Sequence, residues 1–244
     1  MISFIVPYHK NREEHFKYFL VNVFSFYPTC EIIIAEQDDD LPFKRGQLLN
    51  LGFKQSKGNF IVFIDIDIRF LERINFEQDL IRFNGPYLPW CHKQDIMEYG
   101  PNNFGFLISP RKALLVGYGG MSVFTRSQFK ETYGFSNLCS GWGAEDSILN
   151  LRIKSGFVRT AGDLFHVEHE RCIEKDKYTR CNSKILSTHN ERDSSLDSFI
   201  HTEADSEYIE SFNQVKHFKY KNIRVSNSCE YKKLVDDIYN SRVQ

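Results

Sequence analysis

Three short runs in the first quarter of the chain, ISFIV (2–6), EIIIA (31–35) and NFIVFID (59–65), are apolar almost without interruption. A strand wetted on one face alternates polar and apolar residues; one covered on both faces does not. Between the first two runs, Phe16, Phe19, Leu20 and Val23 recur at helical spacing behind a capping signal, Asn11 followed by Glu14. Phe43 to Gln55 reads as a second helix before the third run. Strand–helix–strand–helix–strand with buried strands predicts an α/β fold, a mainly parallel central sheet flanked by helices. Pro7 is expected to stop the first strand. Ligands of such sheets sit beyond the carboxyl ends of the strands. That groups Pro7-Tyr8, Glu36-Gln37 and Asp65-Asp67 along one edge.

Further on, 85–125 is irregular, with short strands expected around 104–108 and 119–124. Helices follow at Arg126 to Thr132 and Glu145 to Lys154, the second ended by Gly156, then strands near 157–160 and 164–168. The polar stretch 187–207 reads as a mobile loop, HFKYKNIRV (217–225) as a strand and 230–241 as a helix. We expect one domain over 1–185, with 186–244 a polar loop and C-terminal extension packing on it.

The 244 residues are 41% hydrophobic and 26% charged, ordinary for a globular protein able to bury a core, but 22 are Phe and 12 Tyr, which predicts an aromatic interior. A net charge of -1 gives no general attraction to nucleic acid or an acidic membrane. Lys216, Lys219, Lys221 and Arg224, interleaved with Phe218 and Tyr220, read as a solvated strand face rather than an RNA stripe, so no nucleic-acid partner is expected. No apolar run reaches the ~18 residues of a transmembrane segment, and MISFIVPYHK lacks the parts of a signal peptide. The six cysteines form no CxxC pair and read as reduced thiols.

Chemistry concentrates in three places. Asp65 and Asp67 flank Ile66 at the end of a buried strand. Two carboxylates so close repel unless a cation intervenes, and a divalent metal carrying a diphosphate is one solution. Solvated loop acids are the plain alternative, and a haloacid-dehalogenase-type phosphatase strand is another, although Arg69 stands where that family has Thr or Val. His166 and His169 flank Glu168; with an aspartate they suit a Mn²⁺-like ion, but both reach one ion only if the backbone turns. Surface histidines are the alternative. In Gly141-Trp142-Gly143-Ala144-Glu145-Asp146 two acids open a helix, where the dipole favours the ionised form that a general base needs. Simple helix capping by acids is the rival reading. Trp142 between glycines reads as a platform for a sugar ring.

Taken in order, IVPYHKNREEHFKYFL, IIIAEQDDDLPFKRGQLLNLGF, FIDID, YGGMSVFTRSQF, GFSN, GWGAED and HVEH resemble the β-1,4-galactosyltransferase family, glycosyltransferase family 7, which includes related N-acetylgalactosaminyltransferases. The resemblance implies a GT-A-like nucleotide-sugar-binding fold, Mn²⁺ dependence, a UDP-Gal or UDP-GalNAc donor, a glycan acceptor and inversion at the anomeric carbon. By position it implies that Pro7, Tyr8, Asn11, Arg12, Phe43, Arg45 and Asp65 hold the uridine diphosphate. It places Gly117, Tyr118 and Gly120 beside the donor, Asp67 and His169 on the metal, with His166 a further candidate ligand. Trp142 would contact donor and acceptor, Glu145 and Tyr178 the acceptor, and Asp146 would be the base. The chain departs from the pattern in three places. Ser147 replaces a third acid, PYHKNR is one residue longer than the usual PFRNR, and His166 stands where animal members have Met. Gly117 stands where galactose-specific relatives carry a tyrosine, which would leave room for an N-acetyl group; the alternative is that Gly117 only permits a turn and Tyr118 fills the space. A start at the first strand suggests a bacterial-type enzyme, cytoplasmic or peripheral at the inner face of the membrane, building surface polysaccharide or lipid-linked glycan. A UDP-sugar- or glycan-binding protein without catalysis is the competing class.

Overall fold

The computed structural model describes residues 1–93, 120–141, 143–153, 158–167, 178, 182–186, 206–212 and 214–221. The three apolar runs form β1 (Ile2–His9), β2 (Glu31–Gln37) and β3 (Phe60–Ile64), joined through α1 (Glu13–Phe26) and α2 (Arg45–Gln55). Then come β4 (Ile68–Phe70), α3 (Phe76–Phe83), β5 (Tyr87–Lys93), β6 (Met121–Thr125), α4 (Arg126–Glu131), α5 (Glu145–Arg152), β7 (Val158–His166), β8 (Ser206–Phe212) and β9 (Val215–Tyr220). One sheet takes the order β4-β7-β5-β6-β3-β1-β2-β9-β8. Its centre, β3-β1-β2-β9, is parallel. The strands flanking it bring the antiparallel pairs β3–β6, β5–β6, β4–β7 and β8–β9.

Alternation along the central strands builds two cores. Phe4, Val6, Ile32, Ile34, Val62 and Ile64 face α1, meeting Phe19 and Val23. Ile5, Ile33, Ile61 and Phe63 face the other way, onto Leu49 and Phe53 of α2, Phe129 of α4, Leu149 of α5, and Phe135 from the segment between those two helices. Both layers are aromatic, with Phe63 between Phe129 (centroids 4.5 Å apart) and Phe135 (5.1 Å).

Several elements depart from the sequence reading. β1 continues through Pro7 to His9. Its pairing with β3 ends at Ile5–Phe63, so beyond that point β1 has a neighbour on one side only, where proline is tolerated. Asn11 lies inside a 3-10 turn, Lys10–Arg12, and the N-cap position of α1 falls to Arg12. Phe43 precedes α2, which starts at Arg45. The two strands expected near 157–160 and 164–168 are one, β7. The basic residues of β9, and Lys221 just after it, stay partly exposed to solvent and are also ion-paired. Lys216 pairs with Glu31 (2.6 Å), and Lys219 and Lys221 with Asp38 (3.7 and 3.3 Å). The expected features at 104–108, Gly156, Arg224 and 230–241 lie outside the described residues, as does most of 187–207. Cys30 and Cys139 are buried free thiols, and no helix among the described residues is long and apolar enough to cross a membrane.

Candidate active site

The carboxyl ends of β1, β2 and β3 lie side by side, since Tyr8 pairs with Glu36 and His9 with Gln37. The chain leaves β3 in a turn, with Ile68 N–H donating to the Asp65 carbonyl (3.1 Å). This turn sends its two acids to different partners. Asp65 meets Arg45, and Asp67 meets His166, with Oδ2 3.6 Å from Nε2. Asp65 N–H is held by the Gly120 carbonyl (2.7 Å) and Val167 N–H by that of Asp67 (2.8 Å), which fixes the end of β7 against the turn. Gly120 has φ +98°, and a Cβ there would sit 2.9 Å from Ile68, so glycine is required by the backbone.

Arg45 is the centre of the site. Its Nε donates to Asp65 Oδ1 (2.8 Å), and its Nη1 to Asp146 Oδ1 (2.9 Å) and Glu145 Oε1 (3.4 Å). One guanidinium thus joins the acid at the end of β3 to the two acids that open α5. Burial opposes its charge, but Asp146, Asp65 and Glu145 outweigh burial and hold its pKa well above the ordinary arginine value. The acids outnumber the cation. Burial first, then Asp67, pushes the Asp65 carboxyl up to about 6 against the pull of Arg45. Burial and then Asp146 push Glu145 up to about 7, again against Arg45. Helix-start residues were expected to favour ionisation; for Glu145 desolvation wins and the shift has the opposite sign.

The turn before α5 is strained. Gly141 and Gly143 have φ of +69° and +88°, and Ala144 has +75°, a conformation that costs a residue with a Cβ about 1–2 kcal/mol. Its bonds hold it there. Gly141 N–H donates to the Phe43 carbonyl (2.7 Å), and the buried Asn182 amide donates to the carbonyls of Ser140 (3.0 Å) and Gly143 (2.7 Å). Tyr178, expected at the acceptor, is buried with its ring directly over Gly141, where a Cβ would come within 2.2 Å. Tyr8, expected at the uridine diphosphate, is likewise turned into the core, against Phe16 (5.5 Å) and His217 (5.9 Å). Phe43 stands edge-on to His9 at 6.2 Å. Pro7 lies in β1 and Arg12 ends the 3-10 turn. The Asn11 side chain, Gly117, Tyr118, Trp142, Glu168 and His169 lie outside the described residues.

Three buried amides support the site: Gln37, already grouped at this edge from the sequence, and Asn50 and Asn182, which were not singled out. Gln37, fully buried, donates to Asp39 Oδ1 (2.6 Å) and the Leu41 carbonyl (3.0 Å) and accepts Lys44 N–H (2.8 Å), which shapes the loop carrying Phe43. Asn50 and Asn182 do the same for the segments before and within the strained turn. Its position at the carboxyl end of a buried strand marked Gln37, and no spacing marked the asparagines. Among the described residues no group of three or more His, Cys, Asp or Glu forms a metal cluster. Asp67 and His166 supply one hard oxygen and one imidazole nitrogen at a common point, a donor pair that fits a Mn²⁺-like ion.

A family model described as the N-terminal domain of galactosyltransferase matches residues 113–178. β-1,4-Galactosyltransferase 4 of Cricetulus griseus is 31% identical over 160 residues, 63% of this chain and 42% of that protein. The Homo sapiens form is 31% identical over 162 residues, with the same coverage. Bovine β-1,4-galactosyltransferase 1 is 28% identical over 164 residues, 62% of this chain and 36% of its own. The matched region thus spans less than half the length of these relatives. Among solved structures, the Drosophila β-1,4-galactosyltransferase 7 catalytic domain with xylobiose superposes with a TM-score of 0.58 at 20% identity, covering 96% of this chain and 98% of that one. A mutant of the same enzyme holds manganese, UDP-Gal and xylobiose. S. aureus TarS with UDP-GlcNAc gives 0.54 at 13% identity over 69% of this chain and 59% of that one. The fold is that of the GT-A glycosyltransferases, an α/β sheet with a mainly parallel centre flanked by helices.

Proposed function

We propose that the chain is a metal-dependent inverting glycosyltransferase that moves galactose or N-acetylgalactosamine from a UDP-sugar to a hydroxyl of a glycan acceptor. The observation that carries this reading is the convergence on Arg45 of Asp65, from the sheet edge, with Glu145 and Asp146, from the opening of α5. Acids from the two halves of the sequence motif meet across one cation, in a chain similar to β-1,4-galactosyltransferases.

In this reading the β1 end, Phe43 and Arg45 bind the nucleotide, and the guanidinium shares its charge between the diphosphate and Asp65. Asp67 and His166, with His169 beyond the described residues, would hold a divalent ion, which offsets the charge of the leaving diphosphate when bound. Glu145, whose carboxyl is held protonated to higher pH than usual, donates a hydrogen bond to the acceptor and orients it. Asp146 takes the proton from the attacking hydroxyl, which displaces UDP from the opposite face and leaves a β-linkage. A cytoplasmic or peripheral role in surface polysaccharide or glycolipid synthesis belongs to the same proposal.

The test is a panel of UDP-sugars with Mn²⁺ and mixed glycan acceptors, read as UDP release. Transfer from UDP-Gal or UDP-GalNAc, abolished by chelator and by Asp67→Ala, is the expected result. UDP binding without release from any donor would instead make the chain a binding protein. Full transfer in excess chelator would remove the metal from the reading. The ratio of kcat/KM for the two donors addresses Gly117: narrowing toward UDP-Gal in Gly117→Tyr is expected if this position makes room for the N-acetyl group.

A further inference from the structure

Asn50 is completely buried on α2, in the seam with the segment that leads to the strained turn. Its amide donates to the Phe135 carbonyl (2.9 Å) and to Asn137 Oδ1 (2.9 Å), and its Oδ1 accepts Phe135 N–H (2.9 Å). One side chain therefore satisfies both backbone groups of Phe135, the work an adjacent strand would otherwise do. One turn earlier, Gln47 donates to the Asn137 carbonyl. Gly46 lets the segment lie against the helix: a Cβ there would stand 3.0 Å from the Ser136 oxygen, 3.1 Å from Phe135 Cβ and 3.5 Å from Glu145 Cβ. Arg45, which begins the same helix, reaches Asp65, Glu145 and Asp146.

Two turns of one helix thus hold the shared cation and the segment that carries its acids. Apolar contact alone would keep the segment close but leave it free to slide. Buried hydrogen bonds fix its register, because each is costly to leave unmade. We propose that Asn50 is a positioning residue for Asp146: through Phe135 and Asn137 it sets the distance between the acids at the end of β3 and those opening α5. This rests on the reading of Asp146 as the base. A displacement of about 1 Å at a reacting group can cost on the order of 10²-fold in rate.

The experiment compares wild type with Asn50→Ala, measuring kcat and donor KM, UDP binding by calorimetry with Mn²⁺, and the same substitution in an Asp146→Asn background. In the wild-type background kcat should fall by roughly 10- to 100-fold, with UDP affinity unchanged. In the Asp146→Asn background the further loss should be small, since groups acting as a unit are non-additive. Equal losses in both backgrounds, or a kcat unchanged in the first, overturn the proposal. Should Asn50→Ala not fold, Gln47→Met replaces it. That change keeps the volume and removes only the bond to Asn137, as Gln47 Oε1 makes no hydrogen bond among the described residues. Its kcat must fall while UDP binding holds, or the proposal fails. If the wild type transfers no sugar, the functional reading fails separately, and amide hydrogen exchange decides the positioning role. Residues 135–146 should then exchange faster in the variant while 60–67 do not; unchanged exchange at 135–146 overturns it.

Discussion

Arg45 brings a single positive charge to Asp65, Glu145 and Asp146, and the balance among these four side chains sets what each acid can do. Asp146→Asn keeps the shape of the side chain but cannot take a proton. Turnover should drop ~10²–10⁴-fold, the usual worth of general-base assistance, while calorimetry shows UDP and Mn²⁺ still binding. Near-normal turnover would pass the role of base to Glu145. Glu145 makes a second prediction, through pH. Its carboxyl is held above the ordinary 4.5, up to about 7, so the fold favours the protonated form. That contribution is complete below the ordinary value and is lost as pH rises toward 7. The Tm of the ligand-free protein should therefore decline across this window, and Glu145→Gln should flatten the decline, Asp65 supplying what remains. An identical slope in the variant would contradict it. The acids themselves were legible in the sequence, because FIDID and GWGAED place carboxylates at element ends. Arg45 was placed with Asp65 by the resemblance, as a nucleotide contact, but its bridging of the acids was not legible, since no spacing along the chain relates it to positions 20 and 101 residues away.

At the scale of elements, buried polar groups tie the central strands together. Glu31, at the start of β2, accepts from Ser3 Oγ of β1 (2.5 Å), Lys57 N–H (2.7 Å) and Lys216 Nζ of β9 (2.6 Å). Burial alone would raise its pKa; the bonds from Lys216, Ser3 and Lys57 outweigh it and hold the carboxyl below the ordinary value. The stability Glu31 provides is present above the ordinary carboxyl pKa and lost as pH falls through the lowered one. Glu31→Gln should cost about 1–3 kcal/mol in urea unfolding at neutral pH, with the two proteins converging in acid. A constant difference at all pH values would deny the charge its part. Three strands of the parallel centre, β1, β2 and β3, could be read from the sequence because they are almost uniformly apolar; the place of β9 (VKHFKY) beside them could not. β5 could not: YLPWCHK carries a proline, and its register with β7 shifts between Pro89 and Cys91. α3 escaped notice because only Phe76 and Leu80 are buried on it, too few to show a period. β8, SEYIESF, is half charged or hydroxylated and borders a polar stretch, so nothing in its composition marked it.

Over the whole molecule, the C-terminal segment is part of the sheet: β9 lies beside β2, with β8 on its far side. A chain ending after residue 205 would lose both strands and expose the edge of β2. It should be insoluble or lose its cooperative thermal transition by circular dichroism, and a soluble, cooperatively melting truncation would show that the remaining strands suffice. The same arrangement matters while the protein is being made. Glu31 and its partner Lys216 are 185 residues apart, so at 5–20 residues per second β2 waits roughly 10–40 s on the ribosome for its neighbour. An uncovered strand is a template for another copy of itself. Glu31, Glu36 and Asp38 stand along that waiting strand, and between two nascent chains they repel one another. Lys216, His217, Lys219 and Lys221 arrive last and pair with those acids. The charges that tie β9 into the finished sheet thus act earlier as a guard, admitting the chain's own late strand and turning away another chain's β2.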